Sequence, residues 1–322
     1  MYRFGVLFLG IVTFSALFVR AGDLGGDGQQ LADPPTSQSS STQPQGFSLA
    51  QPLCLDNAGA GAAIHGYVDT ELKSAHITPR GLVIADKGVE LQPTGALVFD
   101  LYDGNGVIDN VTATAGVWNS LNTSLHIPNA GPWFEIDYFT GVAVHFDRRF
   151  ILQVRYIAFD SPGNQFQTDN NIESTLSYDD GGPLNQQFGL HPYVRLFYNA
   201  SGSSTVIYGR NGNTWDAELG AVPTYSWKPI PSYPVTITFP TYVTVGPRNF
   251  WGGDSNLGVF ATSAFITMPV PFIPERFGRW HWDVGVSYFN LLNGKLVDAA
   301  RTLGCGPDRN RVLGNVGLGF DF

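Results

Sequence analysis

The sequence predicts an all-β fold, a transmembrane antiparallel up-and-down β-barrel of about 12 strands. Three observations lead there. From about residue 61 to the last residue, apolar and polar side chains alternate with a period of two, the mark of strands whose faces meet unlike surroundings. The alternating runs are long for a soluble sheet, whose strands average about 5–6 residues, and they suit a tilted membrane strand of about 9–11. The gaps between runs are short and long by turns, which gathers tight turns at one end and long loops at the other.

Composition agrees. Only 14% of the 322 residues are charged, against roughly 25% in an average soluble domain. Aromatics reach 13%, there are 38 glycines, and mean hydropathy is −0.02. A helical membrane protein would carry several apolar runs of about 20 residues. This chain has one candidate, at its N-terminus, and alternation hides strand hydrophobicity from any averaging window.

That N-terminal run reads as a signal peptide over 1–21. Arg3 supplies the positive charge, Phe4 to Val19 are apolar, and Val19 and Ala21 place small residues before the cleavage point. An uncleaved anchor is the alternative, but the run is short for a span. Residues 22–60 are rich in Gly, Gln, Ser and Pro. Such a stretch buries too little apolar surface to offset its ordering entropy, so a disordered periplasmic segment is expected there. The barrel occupies 61–322.

The strands are expected at 62–72, 88–102, 107–119, 132–145, 149–159, 170–179, 188–199, 213–227, 233–246, 257–272, 278–291 and 312–322. The eighth is the least sharply defined, because Ser203–Arg210 could also pair. If the first strand starts in the periplasm, the short gaps (103–106, 146–148, 180–187, 228–232, 273–277) are periplasmic. The longer ones (73–87, 120–131, 160–169, 200–212, 247–256, 292–311) are extracellular. That asymmetry is the outer-membrane pattern, and an even strand number returns both ends to the periplasm. Cys54 and Cys305 then fall at opposite faces, so no bridge between them is expected. The net charge of −9 argues against nucleic acid as a partner.

Alternation also assigns faces. The expected lumen-lining residues are Asp69, Glu71, Glu90, Asp100, Glu135, Asp137, Arg155, Glu173, Arg195, Asp216, Glu218 and Asp283, with His65, Asp179, His191 and His281 on the same side. Leu97, Phe99, Leu101, Ile136, Tyr138, Val194 and Leu196 then face lipid. Carboxylates greatly outnumber arginines in the inward set. An open lumen lined this way prefers cations; a packed interior pairs the same groups across the barrel, since a narrow barrel can be filled by side chains. Trp118, Trp133, Trp215, Trp227, Trp251 and Trp280 lie near strand ends and suit interfacial girdles.

The last strand is the sharpest local signal. Val312, Gly314, Val316, Leu318, Phe320 and Phe322 alternate with polar and small residues, and the chain stops on an aromatic. Phe320 and Phe322 resemble the recognition signal of the bacterial barrel-assembly machinery, which would make that machinery a partner beside outer-membrane lipid.

His281 with Asp283, and His65 with Asp69, share strand faces, and Asp160-Ser161 sits at a loop, but none has a signature neighbourhood. Six scattered histidines and two distant cysteines form no metal spacing. No catalytic residue, metal or cofactor is expected. Gly116–Leu121, residues 233–246 and residues 282–293 resemble segments of bacterial outer-membrane proteins and, more loosely, TorF-type porins. The resemblance covers roughly 61–322 and implies the fold more than an activity. The first expectation is therefore a porin-like channel for small hydrophilic solutes or ions in the outer membrane of a Gram-negative-type bacterium. A non-conducting barrel serving adhesion or envelope structure is second, and a lipid- or peptide-hydrolysing barrel enzyme third.

Overall fold

The computed structural model describes residues 64–322, except 126, 128–130, 181–186, 203–211, 231–232 and 254. The expected signal peptide, the segment 22–60, Cys54 and Ser203–Arg210 lie outside the described residues. Twelve antiparallel strands form the closed ring. They are β1 (Ile64–Lys73), β2 (Glu90–Asp103), β3 (Ile108–Asn122), β4 (Trp133–Phe146), β5 (Phe150–Asp160) and β6 (Asp169–Tyr178). β7 (Phe188–Gly189 and Pro192–Ser201), β8 (Thr214–Ala221 and Thr224–Ile230) and β9 (Tyr233–Thr238 and Thr241–Val245) each run in two segments. β10 (Leu257–Pro269), β11 (Arg279–Leu291) and β12 (Asn310–Asp321) complete the ring.

β12 pairs with β1 in the register Tyr67 to Asp321 through Lys73 to Asn315, which closes the cylinder. Gly66 and Phe322 seal the seam by exchanging backbone hydrogen bonds of 2.9 Å in both directions. The Phe322 ring lies over Gly66, where a Cβ would collide with it. Closure satisfies every strand edge, which hydrocarbon demands because no water is there to do it.

The interruptions in β7, β8 and β9 fall side by side, at Leu190-His191, Val222-Pro223 and Phe239-Pro240. Pro192, Pro223 and Pro240 have no N–H to give a ladder. The break is bridged by other bonds: Val222 N–H donates to the Leu190 carbonyl and Phe239 N–H to the Pro223 carbonyl, at 2.9 and 2.8 Å. The buried Asp180 carboxylate accepts from the backbone N–H of Leu190 and His191, each at 2.8 Å. Alternation carries on through these breaks, so they are invisible to a reading based on period alone.

Burial alternates as the period-two pattern requires. In β5, Ile151, Gln153, Arg155, Ile157 and Phe159 are buried, whereas Leu152, Val154 and Tyr156 are exposed. In β12, Val312, Val316 and Leu318 point outward. Leu318 is 50% exposed without lipid. Leu318→Arg is expected to destabilise the barrel, by about 1 kcal/mol or more according to its depth in the bilayer. Urea titration of refolding into lipid vesicles measures this, and a cost near zero would mean that this face meets water.

The turns match the short-gap side and the loops the long-gap side. Two loops carry further structure. Between β1 and β2 lies a small hairpin, His76–Ile77 paired with Val83–Ala85. Between β11 and β12 lies α1 (Gly294–Thr302), capped by Asn293, whose Oδ1 accepts from Lys295 N–H at 2.9 Å.

Candidate functional site: the barrel interior

Of the twelve residues expected to line the lumen, ten are buried and Asp100 and Glu135 are partly exposed, Glu135 beside a bulge at which the neighbouring Phe134 is also buried. They do not face open space. Nearly all are buried, and most are held in pairs or networks that cross strands. Arg155 donates to Glu173 through Nε at 3.1 Å and through Nη2. Arg195 lies 3.6 Å from Glu173 and donates to Glu218 at 2.9 Å. Tyr193 also donates to Glu218, at 2.6 Å. His65 pairs with Asp100 at 2.7 Å and His281 with Asp69 at 3.3 Å. Neither histidine pairs with the same-strand acid that shares its face: His65 reaches the neighbouring strand, and His281 reaches Asp69 across Gly319 of β12, whose lack of a side chain leaves the way open.

The loop between β1 and β2, expected to be extracellular, carries the hairpin, which folds into the barrel mouth. Val83, Ile84 and Ala85 are almost fully buried. At its tip, Arg80 reaches Glu173, the fifth residue of β6, with an Nη2 to Oε2 separation of 3.9 Å. It donates from Nε to Asp216 Oδ1 at 3.1 Å. Its guanidinium carbon stands 3.2 Å from the centre of the Phe197 ring, a cation–π contact. Tyr242 donates to the Pro79 carbonyl at 3.0 Å. The turn that makes this reach possible needs Gly81, whose φ of +89 is costly for other residues, and where a Cβ would stand 3.0 Å from Leu296.

α1 covers the hairpin from outside. Leu296 and Ala300 are fully buried, and Cys305, also buried and free, lies 3.6 Å from the Ile84 carbonyl. Burial pushes the Cys305 thiol up to about 11, with Asp86 adding to the shift. From the loop between β9 and β10, Phe250 and Trp251 pack into the same mouth, and Phe250 meets Phe197 edge to face at 6.5 Å. The loop half of the lumen is thus filled by an apolar cluster and the Arg80 network.

Trp118 and Trp251 are not girdle residues: both are buried in the interior cluster, since their strand or loop turns them inward. Trp133, Trp215 and Trp227 are exposed on the outside, and Trp280 stacks there on Phe320 at 4.6 Å. Asp179 lies just past the end of β6 and His191 in the interruption of β7, where His191 adopts φ +44 and pairs with the half-exposed Asp179 at 3.3 Å. The inward charge is also less one-sided than alternation implied, because Lys73, Arg80 and Arg311 join the interior. A loop residue such as Arg80 carries no period, so no alternation could have found it.

Beneath the hairpin, His76, Ser120, Glu90 and Asn122 form a sealed cluster. Ser120 Oγ lies 3.1 Å from His76 Nδ1 and donates to Glu90 Oε1 at 2.5 Å, and Asn122 donates to Glu90 Oε2 at 2.9 Å. Burial holds the His76 imidazole below its ordinary value; Glu90 opposes this and Lys73 adds to it. The folded hairpin therefore keeps His76 neutral, while the unfolded chain takes up a proton near pH 6.5. Its contribution is full above that pH and falls as acid is added. Amide exchange of residues 76–85 should lose protection as pH drops below about 6.5, relative to intrinsic rates, and less so in His76→Asn. Equal loss in both proteins would show that another group controls the hairpin.

The fold defines an outer-membrane β-barrel protein with a filled mouth. No protein-family model matches the chain, and no curated protein matches it in sequence. Solved structures are similar to it at a distance. An outer membrane channel from Pseudomonas putida F1 is 8% identical, over 81% of this chain and 95% of that one, with a TM-score of 0.43. The NanC porin is 12% identical, over 79% and 98%, with a TM-score of 0.42. The outer membrane phospholipase A from Escherichia coli is 11% identical, over 80% and 92%, with a TM-score of 0.37. Likenesses this distant say nothing about activity.

Proposed function

We propose that the protein is a porin-like channel for small hydrophilic solutes or ions, preferring cations, which rests closed with its first loop folded into the lumen. The supporting observation is the Arg80 anchor, an inserted hairpin whose tip is held by carboxylates of the wall, Glu173 and Asp216. A buried ion pair can often be replaced by apolar packing with no loss of stability, so a permanently solid interior has no need of a charged anchor. When the hairpin leaves, those carboxylates lose a cation, and the lumen becomes more attractive to cations in transit. The strand ending in Phe322 is the feature the barrel-assembly machinery would recognise.

A second reading, a non-conducting barrel for adhesion or envelope structure, draws support from Phe250, Trp251 and Leu296, which are fully buried in the mouth. Hydrolysis is the least supported. In the Ser120 cluster, serine and carboxylate meet the same ring nitrogen of His76, so the acid does not orient the base from its far side.

Single-channel recording in planar bilayers tests the proposal. Wild type is expected to give rare steps, and Arg80→Ala frequent ones, with cations favoured. Silence from both proteins would support the non-conducting barrel. Anion preference would overturn the cation-preferring lumen. Lipid or peptide hydrolysis that disappears in His76→Ala would favour an enzyme.

A further inference from the structure

We infer that the inner wall of β6, β7 and β8 carries a binding site for guanidinium-bearing solutes, which Arg80 fills from the inserted hairpin as a built-in mimic. The inference rests on the reading of a channel closed by its first loop and names the class of solute, yet binding can be tested without any current.

Register builds the site. Phe197 of β7 stands directly opposite Glu173 on β6 and Asp216 on β8. Residues directly opposite on neighbouring strands share a face, so one aromatic ring lies between two carboxylates. Phe159 of β5 stacks on that ring at 6.2 Å, which holds the platform in place. All three groups meet on one guanidinium. Arg80 Cζ stands 3.2 Å from the ring centre, Nε donates to Asp216 Oδ1 at 3.1 Å, and Nη2 lies 3.9 Å from Glu173 Oε2. Each of the three wall residues is more than nine-tenths buried.

The shape selects its guest. A flat ring below and an acid on either side suit a planar, delocalised cation that stacks and offers several N–H groups. An ammonium is a compact, strongly hydrated charge without that plane. When the hairpin withdraws, Glu173 keeps Arg155 and Arg195, and Glu218 keeps Arg195, whereas Asp216 loses the cation it pairs with here. A buried carboxylate without its counter-charge is costly. Asp216 therefore favours either the return of the hairpin or the entry of a solute that carries the same group. Such a solute competes with Arg80 for one place, and its binding shifts the hairpin toward the withdrawn state.

Arg80→Ala empties the site in the full-length protein, refolded in detergent. Millimolar ethylguanidinium, the size of the missing group, should raise the unfolding midpoint of this variant but not of wild type. Ethylammonium and the uncharged ethylurea should do so much less. Adding Asp216→Asn should weaken the apparent affinity by about tenfold or more. Wild type gives a second measurement if the variant folds poorly: L-arginine, but not its uncharged isostere citrulline, should speed amide exchange of residues 76–85. Equal responses to ethylguanidinium and ethylurea, or to ethylguanidinium and ethylammonium, overturn the site. So does an unresponsive variant together with hairpin exchange unchanged by arginine. Guanidinium binding in a protein that never conducts would overturn the channel alone, and conductance without guanidinium binding the site alone.

Discussion

Glu173→Ala is expected to destabilise the barrel by about 3–5 kcal/mol, because it breaks a buried ion network by removing its central anion. Glu173 is nearly inaccessible and stands among three guanidinium groups. Arg155 donates to it, and Arg195 and Arg80 lie 3.6 and 3.9 Å away. Without the carboxylate, those cations repel one another in a medium of low dielectric constant, with Asp216 and Glu218 left to balance them. Glu173→Gln keeps an acceptor and should fall between the two. Urea refolding midpoints in lipid vesicles give the measurement. A loss under about 1 kcal/mol would place these charges in the range of solvated pairs and reveal a wetter interior than the burial implies.

Trp251→Ala is expected to cost a similar amount, about 3–5 kcal/mol, through lost apolar burial and the cavity left behind. Trp251 is 0% exposed and packs edge to face on Phe250 at 4.8 Å. Its indole fills the space over Gly246 and Gly258, where a Cβ would press against it. The hole would open beside Phe197 and the Arg80 tip, so faster exchange of the hairpin amides should accompany the loss of stability. Unchanged stability would mean that the loop between β9 and β10 packs independently of the barrel. Phe250→Ala, one residue away, gives a parallel check on the same cluster.

Much of the fold was legible in the sequence. Alternation located the strands and set which side chains of β1, β2, β5 and β12 face inward, since a membrane strand must put apolar groups on one face. The run ending in Phe322 pointed to the final strand. Strand ends were less legible: Asn122 and Ser201 extend their strands beyond the expected bounds, because pairing with a neighbour decides where a strand stops. The partners of His65 and His281 were not legible either, because cross-strand register is set by all twelve strands together.

The sequence by itself determined a cylinder with lipid outside and polar groups within, because a period of two is a local property that each strand carries alone. The tertiary structure decided whether the interior is open. Arg80, Phe250, Trp251 and Leu296 come from three loops with no periodicity, and they meet only because the ring brings its loops to one mouth. Pairing between loops depends on shape and on charges distant in the chain, such as Arg80 with Asp216, and no run of neighbouring residues encodes it.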